Sequence, residues 1–396
     1  MKIKAVKAEI ILDSRKEKTI SVFVKNDKGT FTASAPSGKS KGKYENQSYI
    51  NSINNDIKIL NSMTEKLNLN INDFEELEKV EEIVKGKIGA NSLFALEAAI
   101  LKALASEERK QLWQLLNEKA RKFPFPVGNC VGGGMHTQPV KDRKPDFQEF
   151  LIIPRSRNFS DSVFIMRKAY EEAGDRLELL KAKGKLNDEN AFSTSLSNEN
   201  VLEIMQETKE ELSRQVESKI DIGIDAAAST FYTGLLYNYK NPIRRLKQEE
   251  QINYIASLIE KYGLIYVEDP MQENDFNEFK KLRENIINKY PCLIVGDDLT
   301  VTNLERLRKA VKEKSINAII IKPNQTGSLI DVKKVIDFAK KNNVACVMSH
   351  RSGETEDTTI ADLAFAFQCE FIKTGIKGKE REAKLNRLIQ IEKSLS

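Results

Sequence analysis

Residues 344–364 read VACVMSHRSGETEDTTIADLA: an apolar run, a polar loop crowded with functional side chains, then a helix-like segment. The run 345–348 is continuous rather than alternating, the pattern of a parallel strand covered on both faces. Its end delivers Ser349, His350, Arg351 and Ser352 into one loop, where Gly353 lets the backbone turn sharply. A base, a fork donor and two hydroxyls could share any solvated loop. The scarcity of histidine weighs against that reading. The chain has only two, and the other, His136, also lies in a glycine-bearing loop, after Gly132, Gly133 and Gly134.

The same rhythm of strand then helix extends outward from this stretch. Residues 220–224, 264–267, 293–295, 318–321, 345–348 and 371–372 are short apolar runs. Amphipathic segments separate them, with Ile252, Ile255, Leu258 and Ile259 on one helical face and Phe279, Leu282 and Ile286 on another. Repeated βα units of this kind predict an α/β fold built on a TIM-type (β/α) barrel. A doubly wound open sheet is the alternative, but no glycine-rich phosphate fingerprint follows an early strand.

Ahead of Pro124 and Pro126 the pattern differs. Alternating runs at 3–12, 19–24 and 30–35 predict a three-stranded antiparallel sheet with one wet face. Helical patterns follow at 57–67, at 74–84 and from Asn91, where Leu93, Leu96, Ile100 and Leu104 share one side. Asn91 or Ser92 is the expected N-cap, and Trp113 reads as a packing residue. The two prolines set the expected boundary, with an α+β domain over 1–125 and the barrel domain over 126–396.

Composition bounds the function. A chain of 396 residues exceeds what one core usually serves. The net charge of +5 is a small difference between 63 basic and 58 acidic residues that are interspersed, so no nucleic-acid footprint is expected. No apolar stretch reaches membrane-spanning length, and MKIKAVKAEIIL alternates like a strand instead of carrying a signal-peptide core; a cytosolic protein without membrane contact is expected. Cys130, Cys292, Cys346 and Cys369 lie in or beside apolar runs and read as buried, reduced thiols.

The residues ending the apolar runs carry the chemistry. They are Asp225, Glu268 with Asp269, Asp297 with Asp298, Lys322, His350 and Lys373. A barrel gathers the carboxyl ends of its strands on one face, so these groups converge in one mouth. Any one of them could be a salt bridge or a cap; six consecutive units ending in ionisable groups point to a shared site. Three carboxylates without sulfur or imidazole suit magnesium better than zinc. A nearby cation and a second ammonium would favour a neutral lysine, the state a general base needs, although Lys322 could instead pair structurally with a neighbouring Asp. Neutralising a doubled negative charge is what makes a carbon acid beside a carboxylate removable, so the set points to proton abstraction next to a carboxylate. Upstream lie Gln148 with Glu149 and Asp188 with Glu189; the acids among them are surface charges or, paired in the mouth, donors of a proton to a leaving hydroxyl.

The motifs LDSR at 12–15, APSGKSKGKYE at 35–45, QEF at 148–150 and GIDAAASTFY at 223–232 continue in YVEDP at 266–270 and VGDDLTVTN at 295–303. IKPNQTGSL at 321–329, SHRSGETEDTTIADLA at 349–364 and IKTG at 372–375 complete the series. In this order and spacing the chain resembles the enolase family, the phosphopyruvate hydratases of glycolysis, over essentially its full length. The resemblance implies an α+β domain capping a modified barrel and a reversible dehydration of 2-phosphoglycerate to phosphoenolpyruvate. It also implies two magnesium ions per site, Asp225, Glu268 and Asp297 holding the first and Ser40 helping to hold the second. By the same resemblance Lys322 is the base, Glu189 supported by Glu149 the acid, and Lys373 the partner of the substrate carboxylate. Arg351 and Ser352 would clamp the phosphate, while His350, His136 and Gln148 line the pocket. Homodimers are usual in the family.

The sequence departs from the family in several places. The acid loop, normally GDEGGFAP, is NDENAFST at 187–194; Lys16, Glu17 and Lys18 replace Gly-Asn-Pro after LDSR; Lys39 and Lys41 add charge to the first loop; and the spacer from His136 to Gln148 is longer. Two other readings stay open: a dehydratase of another carboxylate substrate, which Arg351, Ser352 and Ser40 as phosphate and second-ion contacts oppose, and a catalytically weak enolase-like protein kept for binding or structure, which only the altered acid loop supports. The intact Glu149, Glu189, Lys322 and Lys373 oppose the second.

Overall fold

In the computed structural model, residues 1–39 and 42–395 are described. Strands β1 (Ala5–Leu12), β2 (Lys18–Lys25) and β3 (Thr30–Ser34) form an antiparallel sheet in that order. On β1 the alternation holds only over the first half, where buried Val6 and Ala8 flank exposed Lys7; Ile10 and Leu12, further along the same face as Val6 and Ala8, reach solvent. The expected wet face does not extend to the start of β2. There Thr19 and Ser21 are buried, the Thr19 hydroxyl donating to the Ala35 carbonyl (2.7 Å) and Ser34 Oγ to Ser21 Oγ (3.1 Å).

Helices Ile53–Ser62 and Ala90–Glu107 pack on this sheet, and Leu77–Val84 packs on Ala90–Glu107. The first begins earlier than its apolar spacing suggested, because Ser52 caps it by accepting from the Asn55 amide (3.2 Å). The third is capped by neither expected residue. Gly89 takes the N-cap position, and Asn91 and Ser92 lie buried within the helix. Asp56 supplies the missing acceptor from another helix, taking the Gly89 amide (2.7 Å) and the Ser92 hydroxyl (2.7 Å). A side chain at Gly89 would sit 2.4 Å from Tyr49 Cα, so only glycine fits.

The remaining strands are β4 (Phe125–Gly132), β5 (Glu149–Arg155), β6 (Lys183–Leu186), β7 (Phe192–Thr194), β8 (Lys219–Asp225), β9 (Tyr237–Lys240) and β10 (Ile243–Leu246). They continue with β11 (Tyr266–Glu268), β12 (Leu293–Gly296), β13 (Ala318–Ile321), β14 (Ala345–Ser349) and β15 (Phe371–Lys373). Strands β4, β5, β8 and β11 to β15 close into a barrel through pairing of β15 with β4. All barrel neighbours are parallel except β5, which runs against both β4 and β8. That reversal places the first residue of β5, Glu149, opposite Asp225, the last residue of β8. The β6–β7 hairpin hangs on β4 through the pairing of Val131 with Phe192 and carries the acid loop to the same rim.

Val127, Leu151, Tyr266, Val295, Ile320, Val347 and Phe371 belong to a cluster of their own that fills the barrel, separate from the larger core. Burial of each such side chain contributes about 1.5–3 kcal/mol, enough in sum to support a rim crowded with buried charge. Trp113 is buried and packs edge-on against Phe365, 5.1 Å between ring centres. The four cysteines are free and buried, and burial pushes each thiol up. No helix among the described residues is long and apolar enough to cross a membrane.

Candidate active site

Asp225 and Glu268 end adjacent parallel strands as direct partners, and Glu268 in turn pairs with Val295. Asp297 lies two residues past Val295, on the same side of the pleat. All three carboxylates are buried. Into this group the Lys373 ammonium projects from β15, 2.8 Å from Glu149 Oε2, 3.2 Å from Asp225 Oδ2 and 2.8 Å from Glu268 Oε2. From below, the Tyr266 hydroxyl donates to Glu268 Oε2 (2.7 Å). Lys322 pairs with Asp297 Oδ2.

The acids outnumber these two cations, and their proton affinities record it. Burial and the charge of Asp225 push Glu268 up to about 8; burial and the charge of Asp297 push Asp298 up to about 7. Asp269 does a different job. Its two oxygens accept the amides of Asp297 (3.0 Å) and Asp298 (2.7 Å) and so shape the turn that presents Asp297. Oxygen atoms of Asp269, Asp297 and Asp298 all lie within 4.8 Å of one another, and Asp297 Oδ1 is buried without a hydrogen-bond partner among the described residues. An all-oxygen, over-charged set with an orphaned acceptor fits a hard divalent cation.

The lysines are charged in this arrangement. Burial opposes the charge of each, but Asp297 holds Lys322 above its ordinary value, and Glu149, Glu268 and Asp225 hold Lys373 well above its own. The pairing of Lys322 with a neighbouring Asp, one of the two readings of the sequence, is therefore present.

Across the pocket stand Glu149, Glu189, His136 and His350, all buried. Burial drives Glu149 well above the carboxylate range, with the charges of Glu189 and Asp225 adding to it against Lys373. Burial acts on Glu189 too, yet the adjoining His136 ring and the charge of Arg381 outweigh it and hold this carboxyl well below its usual range. Burial thus favours the protonated form of Glu149, while its neighbours favour the ionised form of Glu189. His136 Nδ1 lies 3.3 Å from Glu189 Oε1, and His350 Nε2 lies 3.9 Å from Glu189 Oε2. His350 is held neutral by burial and by Arg381. Because the guanidinium only donates, His350 Nδ1 accepts from Arg381 and the ring proton sits on Nε2, facing Glu189.

Residues of the amino-terminal domain close the third side. Glu45 engages the Arg351 fork with both oxygens, at 2.9 and 3.0 Å. Ser352 Oγ accepts from the Lys39 amide (2.8 Å) and from Arg15 Nη1 (3.2 Å), and Ser37 and Gly353 exchange backbone hydrogen bonds at 2.7 and 2.8 Å. Gln148 Nε2 donates to Asp225 Oδ2 (3.3 Å). A single pocket accordingly brings together His136, Gln148, Glu149, Glu189, Asp225 and Asp297 with Lys322, His350, Arg351, Ser352 and Lys373. Glu268 lies beneath them against Lys373. Ser40 and Lys41 fall outside the described residues.

Sequence reading missed Arg381, which sits in helix Lys379–Leu395 amid a string of charges that looks like a solvated face. It is buried, donating also to the carbonyls of Ser352 (2.9 Å) and Asp188 (3.2 Å). Gly375 makes room for it: a Cβ there would lie 2.5 Å from Arg381 Cδ. Glu45 stood inside a quoted motif with no role assigned.

Two family models match the chain, "Enolase, N-terminal domain" over residues 3–116 and "Enolase, C-terminal TIM barrel domain" over residues 120–396. The chain belongs to the enolase family. Similar members include the enolases of Natronomonas pharaonis, 37% identical and covering 98% of each chain, and Methanosphaera stadtmanae, 38% identical over 99% of this chain and 97% of its own. A bacterial member, the enolase of Ehrlichia chaffeensis, is 36% identical over 99% of this chain and 96% of its own.

Against the enolase pattern, the departures in the acid loop have definite structural roles. Asn190 stands where the family has glycine and adopts φ +62°, a left-handed conformation that asparagine tolerates. Its backbone carbonyl accepts from the Tyr170 hydroxyl (2.7 Å), and its side-chain Nδ2 donates to the Lys377 carbonyl (3.2 Å). Lys39 meets Asp188 in an ion pair of 2.6 Å.

Proposed function

We propose that this protein is a hydro-lyase that interconverts 2-phosphoglycerate and phosphoenolpyruvate. The observation that carries the reading is one pocket with a lysine and a carboxylate cluster on one wall and the two buried acids Glu149 and Glu189 on the other.

Asp225, Glu268 and Asp297 would hold one magnesium ion, and Ser40 would take part in holding a second. The chemistry magnesium supplies there is positive charge, which competes with Lys322 for Asp297 and offsets the second negative charge that forms on the substrate carboxylate. Lys322, as the free amine, removes the C2 proton. Lys373 stays charged among its acids and holds the substrate carboxylate. Glu189 receives the proton stored on Glu149 and delivers it to the C3 hydroxyl, so the C2–H and C3–O bonds break, a C2–C3 double bond forms and water leaves. Arg351 and Ser352 grip the phosphate, the guanidinium exchanging Glu45 for phosphate oxygens. His136, His350 and Gln148 line the pocket, His136 against Glu189.

In this reading residues 1–125 form the capping domain and 126–396 the domain that carries the chemistry. A cytoplasmic homodimer belongs to the same reading, for which exposed Ile10 and Leu12 on β1 offer an apolar face. Purified protein given 2-phosphoglycerate and magnesium is expected to produce the ultraviolet absorbance of phosphoenolpyruvate, and EDTA is expected to abolish it. Absence of product with magnesium saturating would overturn the reading.

A further inference from the structure

We infer that Asn187 is a positioning residue for the acid of this site, an inference that rests on the reading just given of Glu189 as that acid. Asn187 opens the turn between β6 and β7. Its backbone closes that turn by itself: the Asn187 amide donates to the Ala191 carbonyl (2.9 Å) and the Asn190 amide to the Asn187 carbonyl (3.0 Å). The side chain then adds what the enolase loop's glycine could not. Its oxygen accepts the amides of Glu189 (2.9 Å) and Ala191 (3.0 Å), which fixes the peptide that aims Glu189.

The other end of the same amide leaves the loop. Asn187 Nδ2 donates to Thr137 Oγ1 (3.2 Å), a buried hydroxyl one residue past His136. The bond is seated against Gly132, where a Cβ would come within 2.1 Å of Asn187 Nδ2. One planar group therefore joins the loop carrying Glu189 to the loop carrying His136, and the atoms those loops bring together are His136 Nδ1 and Glu189 Oε1, 3.3 Å apart. The His136 loop is braced from its far side as well, since Lys144 Nζ donates to the Thr137 carbonyl (2.8 Å) and to the Gly134 carbonyl.

Asn187 touches neither substrate nor reacting atoms. Its effect runs through the separation and orientation of Glu189 and His136, and so through the proton affinity of the acid. Removal of the base-catalysed C2 proton uses Lys322 on the opposite wall and does not depend on this link.

The test compares Asn187→Gly and Asn187→Ala with the unmodified protein, measuring kcat, KM, the pH profile and the washout of deuterium from C2 of 2-phosphoglycerate. Misplacement of a reacting group by about 1 Å costs up to about a hundredfold. Dehydration is expected to slow by about tenfold or more while KM and C2 exchange stay within about twofold. Thr137→Val on its own should give part of the same loss, and added to Asn187→Ala it should add little. Equal loss of exchange and dehydration, or a kcat and pH profile unchanged in Asn187→Gly, would overturn the inference.

A substrate-free arm separates this outcome from failure of the proposed function. The chain has two histidines, so two imidazole resonances report the site. Asn187→Gly should move the chemical shifts of one, His136, whose loop it releases, and leave those of His350 in place. Unmoved His136 resonances overturn the inference whether or not the protein turns over 2-phosphoglycerate.

Discussion

Lys39 Nζ lies 2.6 Å from Asp188 Oδ2, which ties the first loop of the amino-terminal domain to the loop that carries Glu189. The Lys39 amide simultaneously donates to Ser352 Oγ (2.8 Å). The charge of Lys39, which the sequence placed in the substrate loop, is thus committed to a latch between two loops instead of standing free to attract substrate. The pair is about one-third exposed on each side, so its worth is about 1 kcal/mol at most. Lys39→Gln is expected to raise KM by no more than about fivefold and to flatten its dependence on potassium chloride. In an Asp188→Asn background the same change should do almost nothing; a full effect there would mean that Lys39 acts on substrate directly.

The acid cluster makes stability depend on pH in a direction opposite to the usual one. Glu268 at about 8 and Asp298 at about 7 return on unfolding toward ordinary values of 4.5 and 3.8. Between those limits the folded chain binds more protons than the unfolded one, so stability falls as pH rises through the window. Magnesium binds the ionised carboxylates and should reverse the trend. Thermal melts of EDTA-treated protein at pH 5.5, 7 and 8.5 are expected to show a falling midpoint, with the largest gain from added magnesium at the highest pH. A flat profile, or a gain independent of pH, would contradict the buried and mutually repelling carboxylates.

Arg381 holds the SHRS loop from behind. Arg381→Met removes donors from the carbonyls of Ser352 and Asp188 and from His350 Nδ1. Each orphaned buried acceptor costs about 1–3 kcal/mol, so a loss of at least about 2 kcal/mol is expected in urea unfolding. Arg381→Lys should recover little, because a single ammonium cannot reach partners that the guanidinium fork spans. His350, freed of the neighbouring positive charge, should bind a proton more readily, which its imidazole shift would report; an unchanged titration would sever Arg381 from the site.

Much of the barrel and its rim was legible because the relevant signals are local. A continuous apolar run ending in Asp225, Glu268, Asp297, Lys322 or Lys373 states both the strand and the residue its end presents, and barrel geometry does the rest. The reversal of β5 was not legible, since strand direction is set by partners far away in the chain; it explains why Glu149 begins its strand where the other rim residues end theirs. The cap of Ala90–Glu107 was misread for a similar reason: Asp56 supplies the acceptor, leaving Asn91 and Ser92 to other work. Arg381 was hidden because a buried cation and a solvated one share the same letters, and only packing against Gly375 and the SHRS loop tells them apart. In the acid loop, the replacement of glycines by Asn190 and Ala191 was visible as lost backbone freedom, whereas the bonds that the Asn187 and Asn190 side chains make were not.

The account assigns C2 deprotonation to Lys322 and hydroxyl departure to Glu189, on opposite walls of one pocket. Washout of deuterium from C2 of 2-phosphoglycerate, followed alongside phosphoenolpyruvate formation in Lys322→Ala and Glu189→Gln, separates the two halves. The prediction is that Glu189→Gln keeps exchanging C2 while product formation falls by about a hundredfold or more, and that Lys322→Ala loses both. Exchange that survives in Lys322→Ala, or that disappears in Glu189→Gln, would contradict the assignment of base and acid.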